Sequence, residues 1–179
     1  MAADLDLLHP DLKAKALDLL GRCRQKGIEM RPSSGLRDPF EQARLWRQSR
    51  TIAEIRARIA QFRGDGAPFL AHCLESVGPQ HGRHATSTPP GFSWHQWGES
   101  LDCFWVVGGR AEWSVKKTIN GLNGYRVYAE QGEAVGLTAG GHWRNFKDWP
   151  HVQLRSASNA GRVVGLREID AEMRLRFGA

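Results

Sequence analysis

Apolar residues recur every three or four positions along much of the chain, which is the pattern of amphipathic helices. The clearest stripe predicts a helix over residues 10–26, with Gly27 as a suitable stop. Two further segments begin with residues that favour a helix start: Asp38 before Pro39, and Thr51 with Glu54 three residues later. The predicted helices span residues 10–26, 39–50, 68–76, 124–136 and 164–177. A further helix is predicted from residue 51 to the glycines at 64 and 66, which end it.

Strand signals are shorter and concentrate in the second half of the chain. Residues 100–107 predict a strand, and the Gly108-Gly109 pair that follows predicts a hairpin turn into a second strand at 111–115. A glycine-rich link covers residues 137–143, and residues 78–90 form a long loop of the kind that often binds or covers a site. We therefore expect an α+β fold with a small, mainly antiparallel sheet and helices packed on one side. The other predicted strands are 28–31 and 151–155.

Composition places the chain among soluble globular proteins. Its 179 residues suit one domain, and we find no repeat or linker, so we predict a single domain over residues 1–179 and a monomer. Hydrophobic residues make up 41% and charged residues 25%, and no apolar run approaches the length of a membrane span. The acidic start, Met1 to Asp6, lacks the features of a signal peptide, so we expect synthesis in the cytoplasm.

Net charge limits the classes of binding partner, and the spacing of the cysteines indicates free thiols. A net charge of +6 with pI about 9.6 favours a polyanionic partner, whether nucleic acid, an anionic membrane or the bacterial cell wall, and charge alone does not choose among these. The arginines of the second and third helices are most simply a solvated face. Three cysteines, far apart and without a Cys-x-x-Cys pair, are predicted to be free and mostly buried: Cys23, Cys73 and Cys103.

Two short clusters carry the candidate chemistry. The first places His95 seven residues before Asp102, and the second places Asp148 three residues before His151. Residues seven apart on a straight strand or helix cannot meet at one ion, so the chain must bend, and Gly98 permits the bend. We expect His95 at the end of an extended segment, and Asp148–His151 in a turn that Pro150 favours.

Two imidazoles and one carboxylate make the ligand count of a catalytic zinc site, with Asp148 beside it as a base. Spacing alone leaves open that these histidines are packed or surface residues. The other histidine pair, His81 and His84, lies in the long loop without a nearby carboxylate, so we predict exposed side chains there.

Taken together, the clusters resemble the zinc peptidases of bacterial cell walls that include D-Ala-D-Ala carboxypeptidases and L-alanyl-D-glutamate endopeptidases, phage endolysins above all. The family pattern Ser-x-His-x-x-Gly-x-x-x-Asp is present from Ser93 to Asp102, followed by Gly-Gly-x-Trp from Gly140 and Asp-x-x-His from Asp148. Upstream, the segment from Gly35 to Gln42 is similar to the family's Gly-x-Arg…Gln. The resemblance covers about residues 28–154.

The resemblance implies a hedgehog-like peptidase fold and one zinc ion per chain. Its ligands would be His95, Asp102 and His151, with Asp148 as general base. Arg37 would bind or polarise the substrate, and Ser93 would support the site. The implied partner is peptidoglycan, without nucleic acid and without membrane insertion, and the implied activity is an endolysin-type L-alanyl-D-glutamate endopeptidase that reaches the wall after release or assisted delivery. No separate wall-binding domain is evident. Glu99 and Ser100 depart from the small apolar residues of relatives, as do Ala139 and His142 from Trp and Asp.

Other functions stay open at this point. Within the family, the alternative is a carboxypeptidase that removes terminal D-Ala. Two histidines and a carboxylate also form the facial triad of non-haem iron oxygenases, although those use a closer first pair than His95 and Asp102. A basic nucleic-acid binder lacks any recognised motif here. A hedgehog-like domain that binds zinc without catalysis would be expected to lack the base, yet Asp148 is present.

Overall fold

The computed structural model describes residues 3–178 and has an α+β architecture. Short 3-10 turns cover Leu5–Leu7, Trp94–Trp97, Gly140–His142 and Ala160–Arg162. The helices are α1 Pro10–Gln25, α2 Pro39–Arg47, α3 Ile52–Gly64, α4 Pro68–Ser76, α5 Gly124–Ala134 and α6 Leu166–Phe177. The strands are β1 Glu29–Ser34, β2 Ser100–Val107, β3 Arg110–Glu112, β4 Thr138–Ala139 and β5 His151–Gln153. Met1 and Ala2, which begin the segment that argued against a signal peptide, lie outside the described residues.

The chain divides into two compact units. The first comprises the chain up to Leu36 together with Trp97–Ser156, and it holds the sheet, α1 and α5. The second comprises Arg37–Gln96 and the chain from Ala157, and it holds α2, α3, α4 and α6. The assignment of residues 1–179 to a single catalytic domain stays a prediction.

In the first unit the sheet is small and antiparallel, as predicted. Strand order is β1-β2-β5-β4, and β3 also pairs with β2. β3 pairs with the end of β2 near Trp105–Val107, whereas β5 pairs with its beginning at Ser100–Asp102. Helices α1 and α5 pack with the sheet around one hydrophobic core. Its buried residues include Leu12, Leu19, Cys23, Leu101, Cys103, Trp105, Tyr125, Tyr128 and Val152.

Several predicted boundaries are confirmed and others shift for local reasons. α4 and β2 have the predicted bounds, and the capping box of α3 is present, with Thr51 and Glu54 each bonded to the other's backbone. The second helix ends at Arg47 rather than at residue 50, because the ψ of Gln48 is 135°, outside the helical range, and Ser49 has a φ of 64°. α1, α5 and α6 are each one or two residues shorter than predicted.

The strand predictions are corrected at their ends. β1 continues to Ser34, three residues beyond the predicted end, with an irregular register between Pro32 and Ser34. The hairpin strand ends at Glu112 instead of residue 115, because the Glu112 carboxylate accepts the Ser114 N–H at 2.9 Å and starts a turn. β5 stops at Gln153 rather than residue 155. The glycine-rich link at 137–143 contains β4 and a 3-10 turn.

In the second unit, Arg47 of α2 and Arg50, in the link between α2 and α3, do more than cover a solvated face. Arg47 donates to the Leu74 carbonyl at 2.7 Å, and Arg50 lies over the Trp46 ring with its guanidinium carbon 4.0 Å from the ring centroid. Their positive charges therefore pack and bond within the helical unit, which corrects the simpler prediction.

Helix α4 is capped by a residue from another helix. Its own N-cap, Ala67, offers no side-chain acceptor, but the buried Asp170 of α6 accepts the Leu70 N–H at 2.8 Å and also bonds the Phe69 N–H. Burial raises the pKa of Asp170 above its ordinary value, although these backbone hydrogen bonds oppose the shift. The cap thus ties α6 to α4 at a buried point.

Removing this cap should destabilise the fold. We expect Asp170→Ala to lower the free energy of unfolding by about 1–2 kcal/mol, because the first α4 N–H groups lose their acceptor. Asp170→Asn keeps an acceptor and should lose less. Because the pKa of Asp170 is raised in the folded state, the wild type loses stability relative to Asp170→Asn as the pH rises through that pKa. The difference in the free energy of unfolding between the two proteins should therefore become smaller as the pH rises above about 4. Urea unfolding at several pH values measures this, and a gap that widens with pH would contradict it.

Candidate metal centre

Two of the predicted ligands meet because their strands pair. Asp102 of β2 and His151 of β5 are direct partners in the antiparallel register, so their side chains leave the same face. The His151 Nδ1 and Asp102 Oδ1 atoms lie 2.8 Å apart, although the residues are 49 positions apart in sequence. The adjacent bond, from the Cys103 N–H to the Pro150 carbonyl at 2.9 Å, holds the start of this register.

The third predicted ligand, His95, lies in the 3-10 turn Trp94–Trp97, not at the end of an extended segment as predicted. The turn forms because the Gln96 N–H reaches the Ser93 carbonyl at 3.0 Å, and the Ser93 hydroxyl accepts the His95 N–H at 3.4 Å. Ser93 therefore supports the backbone that carries His95. Gly98 follows with a φ of 69°, so it makes the predicted bend.

Ligand atoms of His95, Asp102 and His151 all lie within 4.8 Å of one another. Within residues 3–178 this is the one group of three or more such side chains arranged to hold a metal. Both histidines are buried and Asp102 is half-buried. Two neutral imidazole nitrogens and one carboxylate oxygen match the donor set of a catalytic zinc site, so the residues fit such an ion.

Gln153, which the sequence reasoning missed, orients His151. Its amide nitrogen donates to the Arg155 carbonyl at 2.6 Å, which turns its Oε1 atom toward His151 Nε2 at 3.0 Å. Because an amide oxygen only accepts, this contact favours a proton on Nε2, and Nδ1 is the nitrogen that faces Asp102. Gln153 is 1% exposed. The predicted strand at 151–155 already placed Gln153 on the same face as His151, but nothing in the sequence indicated that its amide oxygen would turn toward the ring.

The electrostatics of His151 reflect its acidic neighbours. Burial alone disfavours a charged imidazole, but the hydrogen bond and charge of Asp102, together with the charge of Asp148, raise the pKa of His151 above its ordinary value. The negative charges at this point therefore favour a cation.

The predicted base, Asp148, lies in a turn that enters β5, as expected. Its N–H donates to the Gly140 carbonyl at 3.0 Å, and its own carbonyl accepts the His151 N–H at 3.2 Å. A Cβ at Gly140 would lie 2.4 Å from the Asp148 carbonyl oxygen, and one at Gly141 would lie 2.4 Å from the Trp149 ring. The Gly-Gly pair therefore lets the 3-10 turn press directly against the Asp148–His151 turn.

Arg37 lies just before α2, where its N–H donates to the His95 carbonyl at 3.2 Å. Its side chain is largely buried, and its guanidinium donates to Gln42 Oε1 at 3.0 Å. The role of Arg37 toward a substrate stays a prediction.

Glu99, an unusual residue at its position, has a structural explanation. Its carboxylate is buried and forms a two-pronged ion pair with Arg155, at 2.5 and 2.9 Å. Its carbonyl also accepts the Leu154 N–H at 2.9 Å. Glu99 thus fastens the beginning of β2 to the end of β5.

The tryptophans near the two clusters pack against neighbouring groups. Trp94 is buried and donates to the Ala157 carbonyl at 2.7 Å. The Trp143 ring lies 5.3 Å from the His151 ring, centroid to centroid. Trp149 lies beneath the positive groups of Arg126 and Lys147, at 5.8 and 5.7 Å.

The remaining predictions about histidines and thiols hold. His81 and His84 are exposed. Cys23, Cys73 and Cys103 are free and buried. Burial raises the pKa of Cys23 and of Cys73 to about 12, and it raises the pKa of Cys103 as well.

No helix within residues 3–178 combines the length and apolar character needed to cross a bilayer.

The geometry defines a class of site: two histidines and an aspartate that could hold a metal ion, with two of the three on paired strands of an antiparallel sheet. A family profile described as VanY: D-alanyl-D-alanine carboxypeptidase matches residues 6–138, and the chain belongs to this family. The matched segment includes Arg37, His95 and Asp102, whereas Asp148 and His151 lie beyond it. The second cluster therefore stands on its own motif and on the pairing of β2 with β5.

Two relatives illustrate the family. The chain is 25% identical over 150 residues to the peptidoglycan L-alanyl-D-glutamate endopeptidase CwlK of Bacillus subtilis strain 168. The aligned region covers 82% of this chain and 73% of that protein. It also matches the crystal structure of the Serratia marcescens L-Ala D-Glu endopeptidase ChiX with a TM-score of 0.41 and 19% identity, over 84% of this chain and 83% of that chain.

The role of Gln153 can be measured through metal affinity. Gln153→Leu removes the acceptor of the His151 Nε2 proton, so we expect zinc affinity to fall about 10- to 100-fold. His95→Ala, which deletes a ligand, should lose more, and Gln153→Glu, which keeps an acceptor, should lose less. Competition with a chromophoric chelator gives each dissociation constant. Nitrogen NMR of the metal-free wild type should show a protonated Nε2, and an unchanged affinity in Gln153→Leu would contradict the assignment.

Proposed function

We propose that this protein is a zinc-dependent endopeptidase that hydrolyses the L-alanyl-D-glutamate bond in the peptide stems of bacterial peptidoglycan, acting as an endolysin. The observation that carries the proposal is the convergence of His95, Asp102 and His151, with Asp148 on the turn into the same strand, in a chain of a peptidase family. The endopeptidase name of the CwlK relative supports the choice of bond.

The proposed zinc site uses residues that the fold already constrains. His95, Asp102 and His151 would hold one ion, which when bound polarises a substrate carbonyl and lowers the pKa of coordinated water. The chain's own contribution is orientation: strand pairing sets Asp102 against His151, Gln153 sets the ring of His151, and Ser93 supports the turn of His95.

Asp148 would move the proton. As a water molecule attacks the scissile carbonyl carbon, its proton passes to the Asp148 carboxylate, and Asp148 then delivers that proton to the leaving amine as the C–N bond breaks. The products are a free carboxylate and a free amine. The negative charge of Asp148 already acts on His151, which supports a position near the metal centre.

Arg37 and the net charge would serve substrate binding. A guanidinium stays charged at any relevant pH and can hold a stem carboxylate or stabilise the oxyanion that forms during attack. Peptidoglycan stems carry carboxylates, which suits a chain with a net charge of +6.

A D-Ala-D-Ala carboxypeptidase is the second candidate, because the family profile carries that description. A carboxypeptidase would use the same metal site and the same base. The two activities differ in the bond that is cleaved, which is the terminal D-Ala-D-Ala bond in one case and the L-alanyl-D-glutamate bond in the other. A zinc-binding domain without catalysis is disfavoured by Asp148, and an iron oxygenase by the separation of His95 from Asp102 in sequence.

Digestion of purified peptidoglycan tests the proposal directly. We expect fragments with new N-terminal glutamate, produced by the zinc-loaded protein, abolished by a chelator and restored by added zinc. Mass spectrometry of the soluble products identifies the bond, and His95→Ala serves as the inactive control. Release of free D-alanine alone would select the carboxypeptidase, and no cleavage by fully zinc-loaded protein would reject both. Lysis of permeabilised bacteria by the same preparation tests the endolysin role.

Asp148→Asn separates an enzyme from a metal-binding scaffold. We expect zinc content and melting temperature close to wild type, because the backbone bonds of the turn remain, and turnover lower by about 10²–10⁴-fold. Atomic absorption, calorimetry and a peptidoglycan-fragment assay measure the three quantities.

A matched control is Glu112→Gln, which neutralises a partly buried carboxylate of the same unit that pairs with Lys117. Its turnover should equal that of the wild type. If Asp148→Asn behaves like this control while keeping its zinc, Asp148 only stabilises the turn and has no part in the reaction.

A further inference from the structure

The long loop at residues 78–90 is tied by side chains to α2 and to the segment that follows α2, although most of the loop's own side chains are exposed. Gln42 donates its amide N–H to the Thr88 carbonyl at 2.7 Å, and Arg50 donates to the Thr86 carbonyl at 3.0 Å. Just beyond the loop, the Gly91 N–H donates to the Oε1 atom of the buried Gln96 at 2.6 Å. The loop therefore has a defined position along its second half.

Gln42 uses both ends of its amide. Its side chain is 1% exposed, with the nitrogen on the Thr88 carbonyl and the oxygen accepting from the Arg37 guanidinium at 3.0 Å. The Thr88 carbonyl can only accept, so the amide cannot turn around without losing both bonds. Gln42 thus makes a rigid connection between the loop and Arg37.

The connection matters because an arginine is long and flexible. Its side chain loses rotamer entropy when it is fixed, and a charge that is fixed before the substrate arrives does not incur that loss during the reaction. The backbone of Arg37 is anchored to the His95 carbonyl, which leaves the far end of the side chain to be placed by groups such as Gln42.

We propose that Gln42 is a positioning residue that sets the Arg37 guanidinium, and that the loop at 78–90 influences the reaction through this connection. The proposal rests on the proposed function, in which Arg37 acts on the substrate. The alternative is that Gln42 only anchors the loop, which would affect stability and loop order but not the reaction.

Two variants separate these possibilities. Gln42→Met fills a similar volume without either hydrogen bond, and Arg50→Met releases the loop at Thr86 while leaving Gln42 and Arg37 in place. Amide hydrogen exchange at residues 84–88 reports loop order without reference to activity, and the exchange rate should rise in both variants. Steady-state kinetics on a peptidoglycan fragment should show kcat/KM about 10- to 100-fold lower in Gln42→Met and near wild type in Arg50→Met, since only the former displaces Arg37.

The double variant completes the test. In an Arg37→Ala background, Gln42→Met should cause no further loss of kcat/KM, because the residue through which it acts is gone. A full additional loss there, or an equal loss in Arg50→Met, would overturn the proposal. If Arg37→Ala itself keeps wild-type kinetics, the role of Arg37 in the proposed function fails, whatever hydrogen exchange shows for the loop.

Discussion

The antiparallel pairing of β2 with β5 is the constraint on which the metal centre depends. A shift of one residue would move Asp102 to the other face of the sheet, away from His151. Two features oppose such a shift: the Cys103–Pro150 backbone bond beside the ligands, and the Glu99–Arg155 ion pair at the far end of the pairing. Because the Glu99 carboxylate is buried, a slipped register would leave it without its cation, which is costly.

The sequence predicted what short-range patterns control. The apolar stripe located α1, and the caps at Asp38 and Thr51 located the starts of α2 and α3. The predicted bounds of β2 and α4 were correct. Gly98 was recognised as a bend because residues seven apart cannot otherwise converge. These inferences rest on backbone rules that act over a few residues.

Two of the residues that escaped prediction act over long separations. Glu99 gains its role from an arginine 56 positions away, and Gln42 gains its role from a loop carbonyl 46 positions away. Gln153 acts over only two residues, but its role depends on the direction in which its amide points, which the Arg155 carbonyl fixes. His95 was assigned an extended backbone because nothing in its own segment reveals that Ser93 closes a 3-10 turn around it. Polar partners of this kind leave no periodic signal, so they become visible only in three dimensions.

The cysteines carry a consequence of a different kind. All three are buried and their thiols hold their protons well above neutral pH, so thiolate, the form that attacks disulfides and binds zinc, is scarce. Sulfur therefore neither competes with imidazole for the metal nor forms cross-links readily. The fold therefore shields its three thiols from disulfide exchange, and reactivity toward a thiol reagent reports the opening of the core around them.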